Sequence, residues 1–290
     1  MRHKLVALCA AALMAGAPII AQEEEETADF LGGNFSANVA VTTDYTFRGI
    51  SQSSTDAAVQ GGIDWASDLF YVGFWGSTVD FNDDLVNPFN GEIISDGAST
   101  ELDFYAGITP TVGDVGLSFG VVYYFYPDAP QDDDDIIVPD AGPFLVDPAD
   151  FGLAPGDVFL DFPQQDYVEL QAGAAYDIGP ASFGLTLSWS PEYYFEAGNS
   201  LHTLVDGSLP IGEFDLAGTP ASLSVSGHAA YLEFFEDDEA ASTGFFEDYW
   251  EFGIGATLTV WGIDLDARYI DTASLAGNGS TGVFTISKSF

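Results

Sequence analysis

Hydrophobic and polar side chains alternate with period two along most of the chain beyond residue 33. In segment 34–48, Phe35, Ala37, Val39, Val41, Tyr45 and Phe47 share one face, and Ser36, Asn38, Thr42, Asp44, Thr46 and Arg48 share the other. Such alternation makes a strand with one apolar side. The same pattern predicts strands at 57–65, 69–81, 101–108, 115–126, 167–176, 182–190, 201–209, 222–231, 249–260, 263–269 and 282–290, which with the first make twelve. Segment 69–81 is apolar on both faces and does not reveal its orientation, and 201–209 alternates most weakly.

The connectors alternate as well. Short turns at 66–68, 110–114, 177–181 and 261–262, with a longer one at 211–220, are separated by long, acidic, Gly/Pro/Asp-rich loops at 49–56, 82–100, 127–166, 191–200, 232–248 and 271–281. In the last strand Phe284, Ile286 and Phe290 oppose Val283, Thr285, Ser287 and Ser289. If that strand pairs with the first, the sheet closes and no bare edge remains. The expected fold is therefore all-β: a single closed antiparallel transmembrane β-barrel of about 12 strands, apolar outside and polar inside, with short periplasmic turns and long acidic extracellular loops. A soluble sandwich would carry Lys, Glu and Thr on its solvent face. Here the polar face is rich in Gly, Ser and Thr with isolated acids, which suits a confined, wet interior.

Composition changes this picture at both ends. Met1, Arg2, His3 and Lys4 precede an apolar run, Leu5 to Ile20, too short for a stable spanning helix, then Ala21 and Gln22. This reads as a secretory signal peptide, 1–21, followed by an acidic lead-in, 22–33, and a barrel, 34–290. The one cysteine, Cys9, falls inside the signal, so the exported chain is expected to hold no disulfide. The 24 Phe, 13 Tyr and 5 Trp suit half-apolar strands and interfacial aromatic belts.

The charge is extreme. With Arg2 and Lys4 removed, Arg48, Arg268 and Lys288 face 46 Asp plus Glu, a net of 3 − 46 = −43. Nucleic acid is excluded as a partner because binding it needs basic patches. Cations and small solutes are the expected partners, while an acidic, solvated surface suited to a salty habitat accounts for much of the charge by itself.

Strand phase points Asp44, Asp64, Glu101, Asp103, Glu169, Glu251, Asp264 and Asp266 into the lumen, with Arg48 and Arg268 beside them. A twelve-strand barrel has a backbone radius of roughly 12 Å, and small inner side chains keep its passage open. Rings of carboxylates favour cations, so a weakly cation-selective pore is one expectation. The plainer one is that Arg48 and Arg268 pair with neighbouring acids and stiffen the wall. Asp132, Asp133, Asp134 and Asp135 could offer oxygens to calcium but lack the spacing of an EF-hand loop. That run, like Glu236 to Glu239, reads first as solvated charge. His202 and His228 are the histidines of the exported chain, and His228 shares its face with Ser224 and Ser226. Same-face neighbours on a strand lie about 6.6 Å apart, a poor basis for a catalytic pair. No enzyme activity and no cofactor are expected.

The block Thr43, Asp44, Tyr45, Thr46, Phe47, Arg48, Gly49, Ile50, Ser51, Gln52, Ser53 resembles the signature of the bacterial TorF-type porin family (Gcw_chp). Val59 to Gly62, Trp75 to Ser77, Val79 to Phe81, Glu101 to Asp103, Tyr124 to Pro127, Tyr167 to Glu169 and the closing Ser287 to Phe290 resemble it too. The resemblance runs from about residue 35 to the end, and it implies an outer-membrane channel of undefined substrate. The ending, with Phe290 last, is also similar to the signal read by the barrel-assembly machinery; Lys288 departs from that pattern in a lipid-facing phase and would snorkel to the headgroups. The expected role is passive diffusion of small solutes across the bacterial outer membrane. The alternative is a non-conducting barrel with a structural or adhesive role through its acidic loops, in contact with outer-membrane lipid and lipopolysaccharide. Loop 127–166 is the expected plug if the lumen is closed.

Overall fold

The computed structural model describes residues 32–81, 98–127, 165–235, 247–273 and 279–290, with short pieces of the two longest loops at 85–86, 89, 93–94, 129, 136–138 and 148–160. The signal segment 1–21, the lead-in through residue 31 and the acid runs 132–135 and 236–239 lie outside the described residues.

Alternation becomes a wall of strands: β1 (Gly33–Thr42), β2 (Ala58–Ser67), β3 (Phe70–Thr78), β4 (Thr100–Ile108), β5 (Val115–Phe125), β6 (Tyr167–Ile178), β7 (Ala181–Ser190), β8 (Ser200–Leu216), β9 (Thr219–Phe234), β10 (Tyr249–Val260), β11 (Ile263–Thr272) and β12 (Thr281–Ser289). Each pairs antiparallel with its neighbours in sequence. The last returns to the first, from Asn38 opposite Ser289 to Thr42 opposite Thr285. Main-chain hydrogen bonds of 2.8 and 3.1 Å between Ala37 and Phe290 finish the seam. The result is a closed 12-strand antiparallel barrel without a free edge.

Burial is inverted relative to a soluble barrel. Ile63, Phe70 and Ile254 are 57, 55 and 66% exposed on the outside, whereas Asp103 and Glu169 are 0% exposed within. Phe252 and Ile254 face outward rather than lying between two stacked sheets. An apolar exterior around a polar interior is the membrane-barrel arrangement. Strand β3, ambiguous by pattern, is settled by its neighbours. Phe70, Val72 and Phe74 face out, and Tyr71 and Trp75 face in.

Tight turns close one end. Trp261 and Gly262 (φ +57° and +67°) and Ala217 and Gly218 (φ +54° and +94°) both join strands through left-handed residue pairs, the conformation whose twist matches a two-residue hairpin. The second pair corrects the expected turn at 211–220. Those residues are mostly strand, and β8 and β9 continue past the register of β7, which pairs β8 only as far as Ser208. The weakly alternating residues 201–208 themselves lie within the wall, paired with β7 on one side and β9 on the other.

Two further expectations change. Strand β1 ends at Thr42 rather than at residue 48, where the Thr42 hydroxyl donates to the Asp44 carbonyl at 2.9 Å and the chain turns inward. The inner glycines do not simply leave space. A Cβ at Gly73 would strike the Tyr105 ring, and one at Gly253 would strike the His228 ring. Large inward side chains lie flat against the wall over these positions.

Candidate functional site

Segment 43–57 leaves β1 and folds into the end of the barrel that carries the long loops, here called the outer end. Thr46–Phe47 pairs with Ile50–Ser51, and the turn between them is Arg48 and Gly49, at φ +51° and +77°. A glycine suits the second position because it takes the left-handed backbone without strain. It also suits the site, since a Cβ there would strike Thr272 of β11 and crowd Glu251 of β10. The Ser51 hydroxyl donates to Asp44 Oδ1 at 2.6 Å, fixing the base of the hairpin.

The tip reaches across the lumen. Arg48 Nη2 donates to Glu169 Oε1 of β6 at 2.5 Å, with both side chains buried. The Tyr249 hydroxyl of β10 donates to the Arg48 carbonyl at 2.9 Å. The Tyr45 hydroxyl donates to Glu101 Oε1 of β4 at 3.0 Å. Burial, reinforced by the Glu101 and Asp103 charges, holds that phenol well above its ordinary range, so Tyr45 stays a neutral donor.

Aromatic rings fill the space around this hairpin. The Arg48 guanidinium lies 4.7 Å from the Phe47 ring centre and 5.4 Å from that of Tyr193, within the range of cation–π attraction. Tyr124 stacks on Tyr167 at 4.3 Å, and Tyr167 meets Tyr193 edge-on at 5.0 Å. Phe81, Tyr126 and Tyr194 form a second layer. The expected plug was loop 127–166, half of which lies outside the described residues. Among the described residues, segment 43–57 packs in the outer lumen together with Tyr193 and Ala197 of the loop after β7.

The site residues drawn from strand phase separate into two groups. Asp44, Arg48, Glu101, Asp103, Glu169 and Glu251 gather at the outer end and are buried. Asp44 and Arg48 reach it from the infolded hairpin rather than from the wall. Asp64, Asp264, Asp266 and Arg268 sit lower, each held by a neighbour. Asp64 accepts from the Tyr105 hydroxyl at 2.5 Å. Asp264 accepts from Thr259 at 2.5 Å and Asp266 from Thr257 at 2.8 Å. Arg268 donates to Ser226 at 3.0 Å, with its Nε 3.4 Å from Asp266. Both arginines of the wall and hairpin are therefore paired with acids. Phe290 is 64% exposed on the outer surface, and Lys288 Nζ lies 5.5 Å from its ring centre.

Sequence reasoning missed the partners of Glu251. His228 Nε2 is 2.9 Å from Glu251 Oε1, and His202 Nε2 is 3.8 Å from Oε2. The signal existed in the phase of 201–209, where His202 and Asp206 share a face, but pairing across β8, β9 and β10 was not readable from one strand. His228 turns to Glu251 while Ser226 is engaged by Arg268, so the Ser–His pairing considered from sequence is not formed. Among the described residues no group of three or more His, Cys, Asp or Glu is placed to hold a metal ion. The weak metal candidates Asp132, Asp133, Asp134 and Asp135 lie outside those residues.

A model of one family, described as "Bacterial protein of unknown function (Gcw_chp)", matches residues 26–141. That stretch includes the infolded hairpin and the Glu101–Asp103 strand. Comparison with curated proteins found no match in sequence. Among solved structures, an outer membrane channel from Pseudomonas putida F1 is similar at 11% identity, over 93% of this chain and 100% of that one, with a TM-score of 0.42. LpxR from Salmonella typhimurium is 11% identical over 88% of this chain and 99% of that one, at 0.40. Salmonella typhi OmpF, in complex with daunomycin, is 9% identical over 89% and 98%, at 0.38. At these scores the likenesses decide nothing further about the chain.

Proposed function

We propose that this chain is a TorF-type, porin-like barrel of the bacterial outer membrane, exported through the periplasm, which passes small solutes and prefers cations. The observation that carries the reading is the inverted burial: apolar side chains ring the exterior while seven carboxylates of the wall (Asp64, Glu101, Asp103, Glu169, Glu251, Asp264 and Asp266) face the interior. Against them stand Arg48 and Arg268, so the interior field is negative and favours cations. The seam between β1 and β12, ending on Phe290, is the feature the barrel-assembly machinery would read. The acidic loops would face lipopolysaccharide, directly or through divalent ions.

Reconstitution into planar bilayers tests this. Discrete conductance with a reversal potential favouring potassium over chloride is expected; anion preference would refute the selectivity. A specific observation also supports the alternative, a non-conducting barrel with a structural or adhesive role: buried side chains such as Tyr45, Tyr124, Tyr167 and Glu169 pack around the hairpin in the outer lumen. Replacing residues 44–56 by a flexible Gly/Ser linker separates the two. A gated channel gains conductance severalfold, whereas a barrel built only for its surface stays silent in both forms.

A further inference from the structure

The outer lumen holds an electrostatic imbalance that the hairpin does not remove. Glu101, Asp103 and Glu169 are all buried at the outer end of the wall, and Arg48 is the guanidinium among them, a formal balance of −3 + 1 = −2. Glu101 has the Tyr45 hydroxyl, and Glu169 has Arg48 and the Tyr124 hydroxyl at 3.2 Å. Asp103 has no such partner. It is 0% exposed, and neither carboxylate oxygen has a hydrogen-bond partner among the described residues. Arg48 Nη1 is likewise unpartnered. Asp103 projects between Trp75 of β3 and Tyr124 of β5, its neighbours in the ladder. A buried carboxylate with two unused acceptors is costly, and the cost falls when a donor bearing positive charge arrives.

Arg48 shows what kind of donor the surroundings accept. Its planar guanidinium donates through Nη2 to the Glu169 carboxylate and lies near the Phe47 and Tyr193 rings. Carboxylates combined with aromatic faces recognise polyatomic cations with several N–H donors. A metal ion suits the place less well, since the carboxylates are not gathered on one point.

We propose that the outer lumen is a binding site for an organic cation bearing a guanidinium or primary ammonium group, with Asp103 as its unoccupied anchor and Arg48 as an internal stand-in for the ligand. An entering solute pairs with Asp103 and competes with Arg48 for Glu169. The hairpin tip is loosened by the solute it admits. The inference deepens the channel reading and rests on it for its physiological sense, but binding can be measured without conduction.

The test is calorimetric titration of agmatine, which carries both cationic groups, into the full-length protein folded in detergent micelles at constant ionic strength, with potassium chloride as the screening control. Saturable agmatine binding is expected. Asp103→Asn should weaken it by about tenfold or more, the loss of a charge-assisted contact. Arg48→Ala should tighten it by a similar factor, while Arg48→Lys, which keeps a competing charge, should stay near the wild type. Heat-modifiable migration on a gel confirms that each variant is folded, and if Arg48→Ala is not, Asp103→Asn decides. Agmatine heats no different from potassium chloride, or an affinity indifferent to Asp103→Asn, would overturn the proposal. Bilayer conductance, recorded separately, distinguishes the two claims: binding without conductance refutes the channel and keeps the site, and conductance without binding does the reverse.

Discussion

The two halves of the lumen are built on different principles. At the outer end Tyr45, Trp75, Tyr124, Tyr167, Tyr193 and Tyr249 pack with buried carboxylates into something close to a soluble protein's core. Toward the short turns, buried acids paired with threonines, Asp266 with Thr257 and Asp264 with Thr259, stand beside small inward positions, Ser118, Gly173, Ser224 and Ser226, that remain partly exposed. In the outer half charge is desolvated among aromatic rings and paired across the lumen; in the inner half the acids pair with neighbouring strands, and the small polar groups beside them can exchange partners with water. The difference teaches that one alternating sequence pattern can line either a core or a vestibule, depending on what enters from above.

Breaking the comparison begins with its most costly contact. Glu169→Ala leaves Arg48 buried without its counter-charge and should destabilise the barrel by about 3–5 kcal/mol, read as a lowered urea midpoint in micelles. Adding Arg48→Ala should recover much of that loss, because no charge is then stranded. Next comes Gly73→Leu, which drives a side chain into Tyr105 and Asp64 and should cost about 1–3 kcal/mol by the same measurement. Thr257→Val removes the hydroxyl that donates to Asp266 at 2.8 Å, and about 1–2 kcal/mol is expected. Smallest is Ser224→Ala in the open half, within roughly 0.5 kcal/mol of the wild type. If Ser224→Ala proved as damaging as Glu169→Ala, the inner half would be a packed core too and the distinction would fail.

Much of the barrel was legible because each strand is a local statement. Phe35, Val39 and Val41 against Ser36, Asn38 and Thr42 required no knowledge of the rest of the chain, and β1 does lie with those faces outward and inward. Legibility stopped at residue 43. The alternation of Tyr45, Phe47 and their neighbours continues unchanged, yet the backbone leaves the wall, so the same period describes a hairpin lodged inside the barrel. The inner glycines misled for a related reason. Gly73 and Gly253 look like open space in a single strand and become cradles only when Tyr105 and His228 lie across them.

The sequence by itself determined the strand grammar, the faces of most strands (β3 excepted), the long and short rims and the excess of negative charge, since side-chain period and composition are properties of contiguous residues. Tertiary structure alone decided that Arg48 meets Glu169, 121 residues away, that Tyr249 holds the Arg48 carbonyl across 201 residues, and that both histidines converge on Glu251. Those contacts arise because closing the sheet brings distant strands to face one another across a narrow lumen. Which side chains then meet depends on register and on the path of one infolded loop, neither of which is written in any single segment.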